Sequence, residues 1–356
     1  MSPPVVLKEG GAARNIGLRL GLSLSLITGR GLALSSLVDD SLRPRPGLGP
    51  GGLTLAMAAS AVSKGRVKGE LGSGELEFLP GGPPQAGEYH FDVAQLRPSA
   101  APYSPLLEML ALPLSAAPGK STMILRGSSH AVGGLTSDEL SALMLPNWRT
   151  LGLNLSYSEI SPGFFPAGGG EAEVTVRPAV VLQALKAEDA FRPRRVGVEV
   201  VCSNLPVHLA EQAMQGALDR LSLHGLAAEG KLRRARGGKG QALLVWAGDG
   251  RLRVGFSTLG KRGGRPEALA LEAVEALVHF LNSGAALPSG LAARMLLSLA
   301  CASGLSALTT SGPPKPLAAA AAVINAFWPD TVRLSQARDS APVEVRVNGR
   351  DWGRSL

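Results

Sequence analysis

Histidine, cysteine and aromatic residues are scarce in this chain. It holds 5 histidines, 2 cysteines and 4% aromatics in 356 residues. Cys202 and Cys301 lie inside the apolar runs VEVVCSNL and SLACASG. They read as buried small hydrophobes, neither ligands nor a disulfide. No Cys/His spacing of the metal-site kind is present, so no metal site is expected. The first residues, MSPPVVLKEGG, have no basic stretch followed by an apolar one, so no signal peptide is expected. The longest apolar run, 317–327, is too short to span a bilayer. These absences predict a soluble, cytoplasmic, reduced protein without membrane contact.

What is plentiful is glycine, 45 residues, and positive charge, a formal +8. Hydrophobic residues outnumber charged ones, 45% against 18%, which predicts a globular chain. At this length two domains are expected, one of them composite. The basic surplus fits a polyanionic partner such as RNA.

One stretch organises the rest. SPGFFPAGGGE, 161–171, sets the aromatic pair Phe164 and Phe165 before three glycines, Gly168, Gly169 and Gly170. An alternating strand, 171–177, follows. Glycine lacks a Cβ, so the backbone there can take positive φ and approach another surface closely. Read locally, this is a tight strand-to-strand turn with two phenylalanines plugged into a core.

Periodicity predicts helices over 15–27, 53–64, 103–112, 267–282, 290–302 and 317–327. Strands are expected over 67–71, 75–79, 90–93, 121–126, 153–159, 196–202, 241–246, 251–256, 305–309, 331–334 and 343–347. Thr136 and Glu139 form a capping box that opens a helix running to about 151. A helix starts at Ser203-Asn204-Leu205-Pro206. RRARGGKG, 233–240, reads as a basic, solvated surface loop. Two strand-and-helix units of about 80 residues precede 180, and a third resumes after 266. The expected fold is α/β (α+β): a large domain of three repeated units, 1–186 and 266–356, with a smaller inserted α/β domain, 187–265.

The string Gly163-Phe-Phe-Pro-Ala-Gly-Gly-Gly-Glu171, followed by a strand, resembles the signature of the RNA 3′-terminal phosphate cyclase family. So do Pro46-Gly47-Leu48 with Leu53-Thr54, Gly72-Ser73-Gly74-Glu75-Leu76, and Ser203-Asn204-Leu205-Pro206 with His208 and Glu211. The resemblance runs in order over nearly the whole chain. It implies the three-repeat fold with an inserted domain. It also implies an ATP- and metal-dependent reaction in which a histidine forms a covalent adenylate that passes to an RNA 3′-phosphate. The 2′-hydroxyl then displaces AMP and leaves a cyclic phosphate.

The polar marks of that reaction are missing together. Counting back from Ile324 and Phe327, the family's histidine falls on Pro316 and its Thr-Asn on Ala319 and Ala320. The acidic residue of the first turn is Ala12. The Gly-Thr-Ala-Gly-Ser loop reads Ala94-Gln-Leu-Arg-Pro98, the Gln-His reads Gly51-Gly52, and the Asp-x-His-Leu-Ala-Asp-Gln run reads Pro288-Ser-Gly-Leu-Ala-Ala-Arg294. The sequence therefore predicts a cyclase-like protein that binds RNA without catalysis. ATP and Mg²⁺ belong to it only if the cyclase reaction is retained, through His130 or through Lys315 in a proline-flanked loop. A protein-interaction paralogue that partners an RNA-repair component is the other alternative. Candidate RNA or phosphate contacts are Arg19, Arg43, Arg45, Arg126 and His130. His130 reads equally as a strand-end histidine that holds a loop by a hydrogen bond. Asp138 reads as a first-turn helix residue favoured by the dipole. His208, His224, His279, Glu267 and Glu272 read as structural or surface residues.

Overall fold

The computed structural model describes residues 3–8, 16–39, 45–311, 315–335 and 342–351. Its organising rule is a unit used three times. In the first, β1 (Val5–Lys8), α1 (Ile16–Thr28) and β2 (Leu32–Ser35) make a parallel crossover. The pair β3 (Val38–Asp39) and β4 (Arg45–Pro46), then α2 (Pro50–Ser63), β5 (Arg66–Lys68) and β6 (Glu75–Leu79) complete it, with sheet order β1-β2-β6-β5.

The second unit repeats the path. β7 (Glu88–Asp92), α3 (Ser104–Ala116) and β8 (Ser121–Gly127) form the crossover. A broken helix follows: α4 (Ser137–Glu139), a π-helical segment Leu140–Met144, and α5 (Leu145–Thr150). β9 (Asn154–Ser161) and β10 (Gly170–Arg177) close the sheet in the order β7-β8-β10-β9. Thr136 and Glu139 bond reciprocally, so the expected capping box is present.

Next comes β11 (Lys186–Ala187), and then a fourth sheet made by β12 (Arg195–Ser203), α6 (Val207–Leu223), β13 (Ala228–Ala235), β14 (Gly240–Gly248), β15 (Arg253–Leu259) and α7 (Pro266–Asn282). The third unit is β16 (Leu287–Pro288), α8 (Ser289–Ala300), β17 (Leu305–Ser311), α9 (Lys315–Phe327), β18 (Val332–Ser335) and β19 (Val343–Asn348). β11 and β16 both run parallel to β17, at Ala307–Leu308 and at Thr310–Ser311. The fourth sheet is thus spliced into the first strand of the third unit. α7 packs on α6, β14 and β15.

The sequence explains these elements. α1 carries leucine at 18, 20, 22, 24 and 26, apolar on every side, and all five are buried. Gly29, at φ 69°, ends it as read. Pro146 has no N–H, so the carbonyl of Ala142 lacks its helical donor. Arg253 of the inserted unit supplies one at 3.2 Å, while its guanidinium stacks on Trp246. No helix of the described residues is long and apolar enough to cross a membrane.

Candidate functional site

Two charged clusters lie where units meet. The first takes one side chain from the equivalent helix of each repeat: Arg19 of α1, Glu108 of α3 and Arg294 of α8. Arg19 Nη1 bonds Glu108 Oε2 at 2.7 Å, and Arg294 Nη1 bonds the same oxygen. The Glu108 side chain is 1% exposed and its Oε1 has no partner. Trp148, Leu153, Leu297 and Ser298 line the narrow cleft above the cluster. Burial pushes the Glu108 carboxyl up, but Arg19 and Arg294 outweigh it and hold it below the usual range. Burial pulls the Arg19 guanidinium down, with Arg294 adding to the pull and Glu108 opposing it.

The second cluster lies under the glycine-rich turn. Gly168 and Gly169 sit at φ 70° and 77°, and a Cβ on Gly170 would stand 2.7 Å from the carbonyl oxygen of Gly127. Positive φ accounts for the first two glycines and close approach for the third. The backbone N–H groups of Ser129 and His130 both donate to the Gly163 carbonyl at 2.9 Å, and Gly163 N–H donates to Ser129 Oγ. His130 is 1% exposed and stacks on Phe164, with ring centroids 4.4 Å apart. Its Nδ1 lies 2.7 Å from Ser129 Oγ and its Nε2 2.8 Å from Asp138 Oδ2. A hydrogen on Nε2 satisfies both contacts. Asp138 Oδ1 and Glu159 Oε2 then bind Arg233 of β13 at 3.1 and 2.6 Å. Burial raises the Asp138 carboxyl, but His130 and Arg233 together bring it below the usual range. Beside it, Tyr103 and Tyr157 hydroxyls meet at 2.6 Å, and Tyr157 donates to Ser137. Burial pushes both phenols up.

The inserted unit is therefore latched to the second repeat. Arg233 is one latch and Arg253 the other, its backbone pairing with the Asn147 amide at 2.8 and 2.9 Å. The connection between β13 and β14, which flank β12 in the sheet, lies on the turn itself, Gly238 N–H donating to Pro162 O. A Cβ on Gly237 or Gly240 would run into Pro162 O or the Phe164 ring.

Several expectations change. His130 presents no ring nitrogen to solvent, and its bonds to Ser129 and Asp138 match the reading of a strand-end histidine that holds a loop. Arg19 faces Glu108 and the interior, with its side chain 11% exposed. Arg126 is exposed and paired with Glu171 at 3.0 Å. Arg43 lies outside the described residues, and Arg45 is placed only as backbone in β4. Phe164 fills a core as expected, but Phe165 is 38% exposed. Arg233 belongs to a strand and an ion-pair network, where a solvated loop was expected. Lys315 opens α9 where a loop was expected, and Pro316 follows in its first turn. Sequence reading missed Glu108, Arg294, Glu159 and Arg233. For the first two a signal existed: each is a lone charge inside an apolar helix, which demands a buried partner.

Both depressed carboxyls set an acid limit. A carboxyl with a lowered folded pKa contributes stability above its unfolded value, near 4, and that contribution is lost as pH falls through the folded value. Thermal melts are expected to hold near neutrality and to drop below about pH 4. Glu108→Gln is expected to flatten that drop. An unchanged acid limb in the variant would contradict the assignment.

The chain matches the RNA 3′-terminal phosphate cyclase family profile over residues 7–334. Curated relatives described as RNA 3′-terminal phosphate cyclase include one from Salmonella agona (strain SL483), 32% identical over 94% of this chain and 94% of its own length. One from Methylococcus capsulatus is 34% identical over 80% of this chain and 79% of its own. One from Archaeoglobus fulgidus is 30% identical over 89% and 93%.

Proposed function

Since the chain belongs to the RNA 3′-terminal phosphate cyclase family, we propose that it keeps the family scaffold without the adenylylation centre and acts in RNA processing by binding RNA. Pro316 carries this reading. The position where the resemblance puts the nucleophilic histidine holds a proline whose nitrogen is already an amide, so nothing there can attack a phosphate. Proline in a first helical turn is favourable, which keeps the α9 start intact while removing the chemistry.

The residues that remain fit a triphosphate and its metal poorly. Arg19 and Arg294 both spend their charge on Glu108. Among the described residues no three His, Cys, Asp or Glu side chains converge to hold a metal ion. His130 has both ring nitrogens engaged by Ser129 and Asp138, which speaks against it as a relocated nucleophile. The exposed amine of Lys315, adjacent to Pro316, supports the one catalytic alternative, a phosphoramidate on lysine.

Incubation with α-labelled ATP and Mg²⁺ or Mn²⁺, followed by a denaturing gel, decides between them. No labelled band is expected, together with salt-sensitive binding to single-stranded RNA bearing a 3′-phosphate. A band that disappears in Lys315→Ala would establish the cyclase reading instead. Protein that neither labels nor binds RNA would overturn both and favour the partner-protein role.

A further inference from the structure

Three loops meet around the glycine-rich turn, and they leave apolar side chains in water. Phe165 is 38% exposed, Val132 82% and Leu96 43%. The backbones that carry them approach one another at the turn. Phe165 N–H donates to the carbonyl of His130, two residues before Val132, at 3.1 Å. A Cβ on Gly168 would stand 3.6 Å from Ser99 and Ala100, which follow Leu96 and Arg97. Gly237 and Gly238, between Arg236 and Lys239, lie against Pro162, Phe164 and Gly168. Gly169 has open space where a Cβ would point, so the strip beside Phe165 is bare backbone.

Arg97, Arg236 and Lys239 near this patch are exposed, and among the described residues none of them has an ion-pair partner. Glu171 pairs with Arg126, and Asp138 and Glu159 pair with Arg233, while Asp92 accepts from the Ala94 N–H and Glu173 stands exposed further along β10. Three cations without an ion pair thus stand on the loops that meet at an exposed aromatic. A bare cationic surface would accept any polyanion. An exposed phenyl face beside it selects polyanions whose flat faces are unpaired.

We propose that this face of the turn, Phe165 with Leu96 and Val132 inside a rim of Arg97, Arg236 and Lys239, holds single-stranded RNA. An unpaired base stacks on Phe165, and flanking phosphates lie on the three cations. A duplex offers no base face here, because its faces are already stacked. The β13–β14 connection has a role in this arrangement: it carries two of the three cations to the turn. This site rests on the RNA-binding reading above and deepens it.

Fluorescence anisotropy with a short labelled oligoribonucleotide, titrated over a range of salt, tests it on the full chain. Phe165→Ala is expected to weaken binding about tenfold, with the salt dependence unchanged. Arg97→Ser/Arg236→Ser/Lys239→Ser is expected to reduce the slope of log K against log salt by about 2. An abasic strand of the same length should bind both Phe165→Ala and the parent equally. Phe165→Leu, which keeps an apolar side chain, serves if the alanine variant melts early, and it should lose affinity with an unchanged melt. If the parent binds RNA and the variants bind it as well as the parent does, this site is wrong while the RNA reading stands, and the face returns to a protein partner. If the parent shows no salt-sensitive RNA binding, the RNA reading falls and the site with it.

Discussion

Glu108→Leu is expected to cost the fold about 3–5 kcal/mol and to lower the melting temperature by on the order of 10 °C. The residue is a carboxylate inside an apolar helix, 1% exposed on its side chain. Leucine at 108 would pack well, and leucine is the better helix former of its surroundings. The cost comes from what is left behind. Arg19 and Arg294 come from two other repeats and share one carboxylate oxygen. Without it, two guanidiniums face each other in a poorly hydrated site, and uncompensated buried charge is what makes such losses large. The double variant Glu108→Leu/Arg294→Leu should regain much of the loss, since a single cation beside the cleft can reach water. Denaturant unfolding of the two variants and of Arg294→Leu closes the cycle. A Glu108→Leu protein within about 1 kcal/mol of the parent would mean that the guanidiniums turn out to solvent and that the cluster holds nothing together.

That cluster also marks where sequence reading ends. Helix periods, the Gly29 stop, the capping box at Thr136 and the alternating strands were legible, because each is a local pattern of backbone preference and burial. The repeat was legible as three similar strings of elements. The splice was not, since β11 and β16 are two residues each and become one strand line only by pairing with β17. The same holds for Arg233. In the string RRARGGKG it looks like any solvated cation, and only the placement of β13 against β9 brings Glu159 to it. The glycine turn was legible as a place needing positive φ. Its second demand, that Gly170 lie on Gly127, needs the partner strand in view. Glu108, a lone charge in an apolar helix, went unread because its two arginines lie 89 residues before it and 186 after it.

The two latches make the inserted unit dependent on the glycine-rich turn, and Arg233→Met tests the stronger of them. Methionine keeps the aliphatic bulk along the sheet and removes the guanidinium. Glu159, with its side chain 7% exposed and Oε1 already without a partner, then faces Asp138, 11% exposed, across the gap. Two crowded carboxylates lose their common counter-charge, and a loss of about 3 kcal/mol is expected. Arg195→Met provides the contrast. It breaks an ion pair of the same chemistry to Glu229, but the partners are 66% and 80% exposed. Such a pair is worth about 0–1 kcal/mol. The effect at Arg233 should also be local. Asp138 orients His130 through its other oxygen, and His130 supports the turn through Phe164 and the Phe165 N–H. Hydrogen exchange is therefore expected to quicken at 163–168 and along 235–240 in Arg233→Met, and to stay at parent rates in β1, β2 and β6. If Arg233→Met and Arg195→Met behave alike, the inserted unit is held by Arg253, the Gly238–Pro162 and Thr150–Arg251 bonds and hydrophobic contact. If the turn loosens while β1, β2 and β6 stay protected, a charge pair on an inserted strand sets the shape of the family's own signature loop, and the surface offered to RNA is then a property of two units held together rather than of either one.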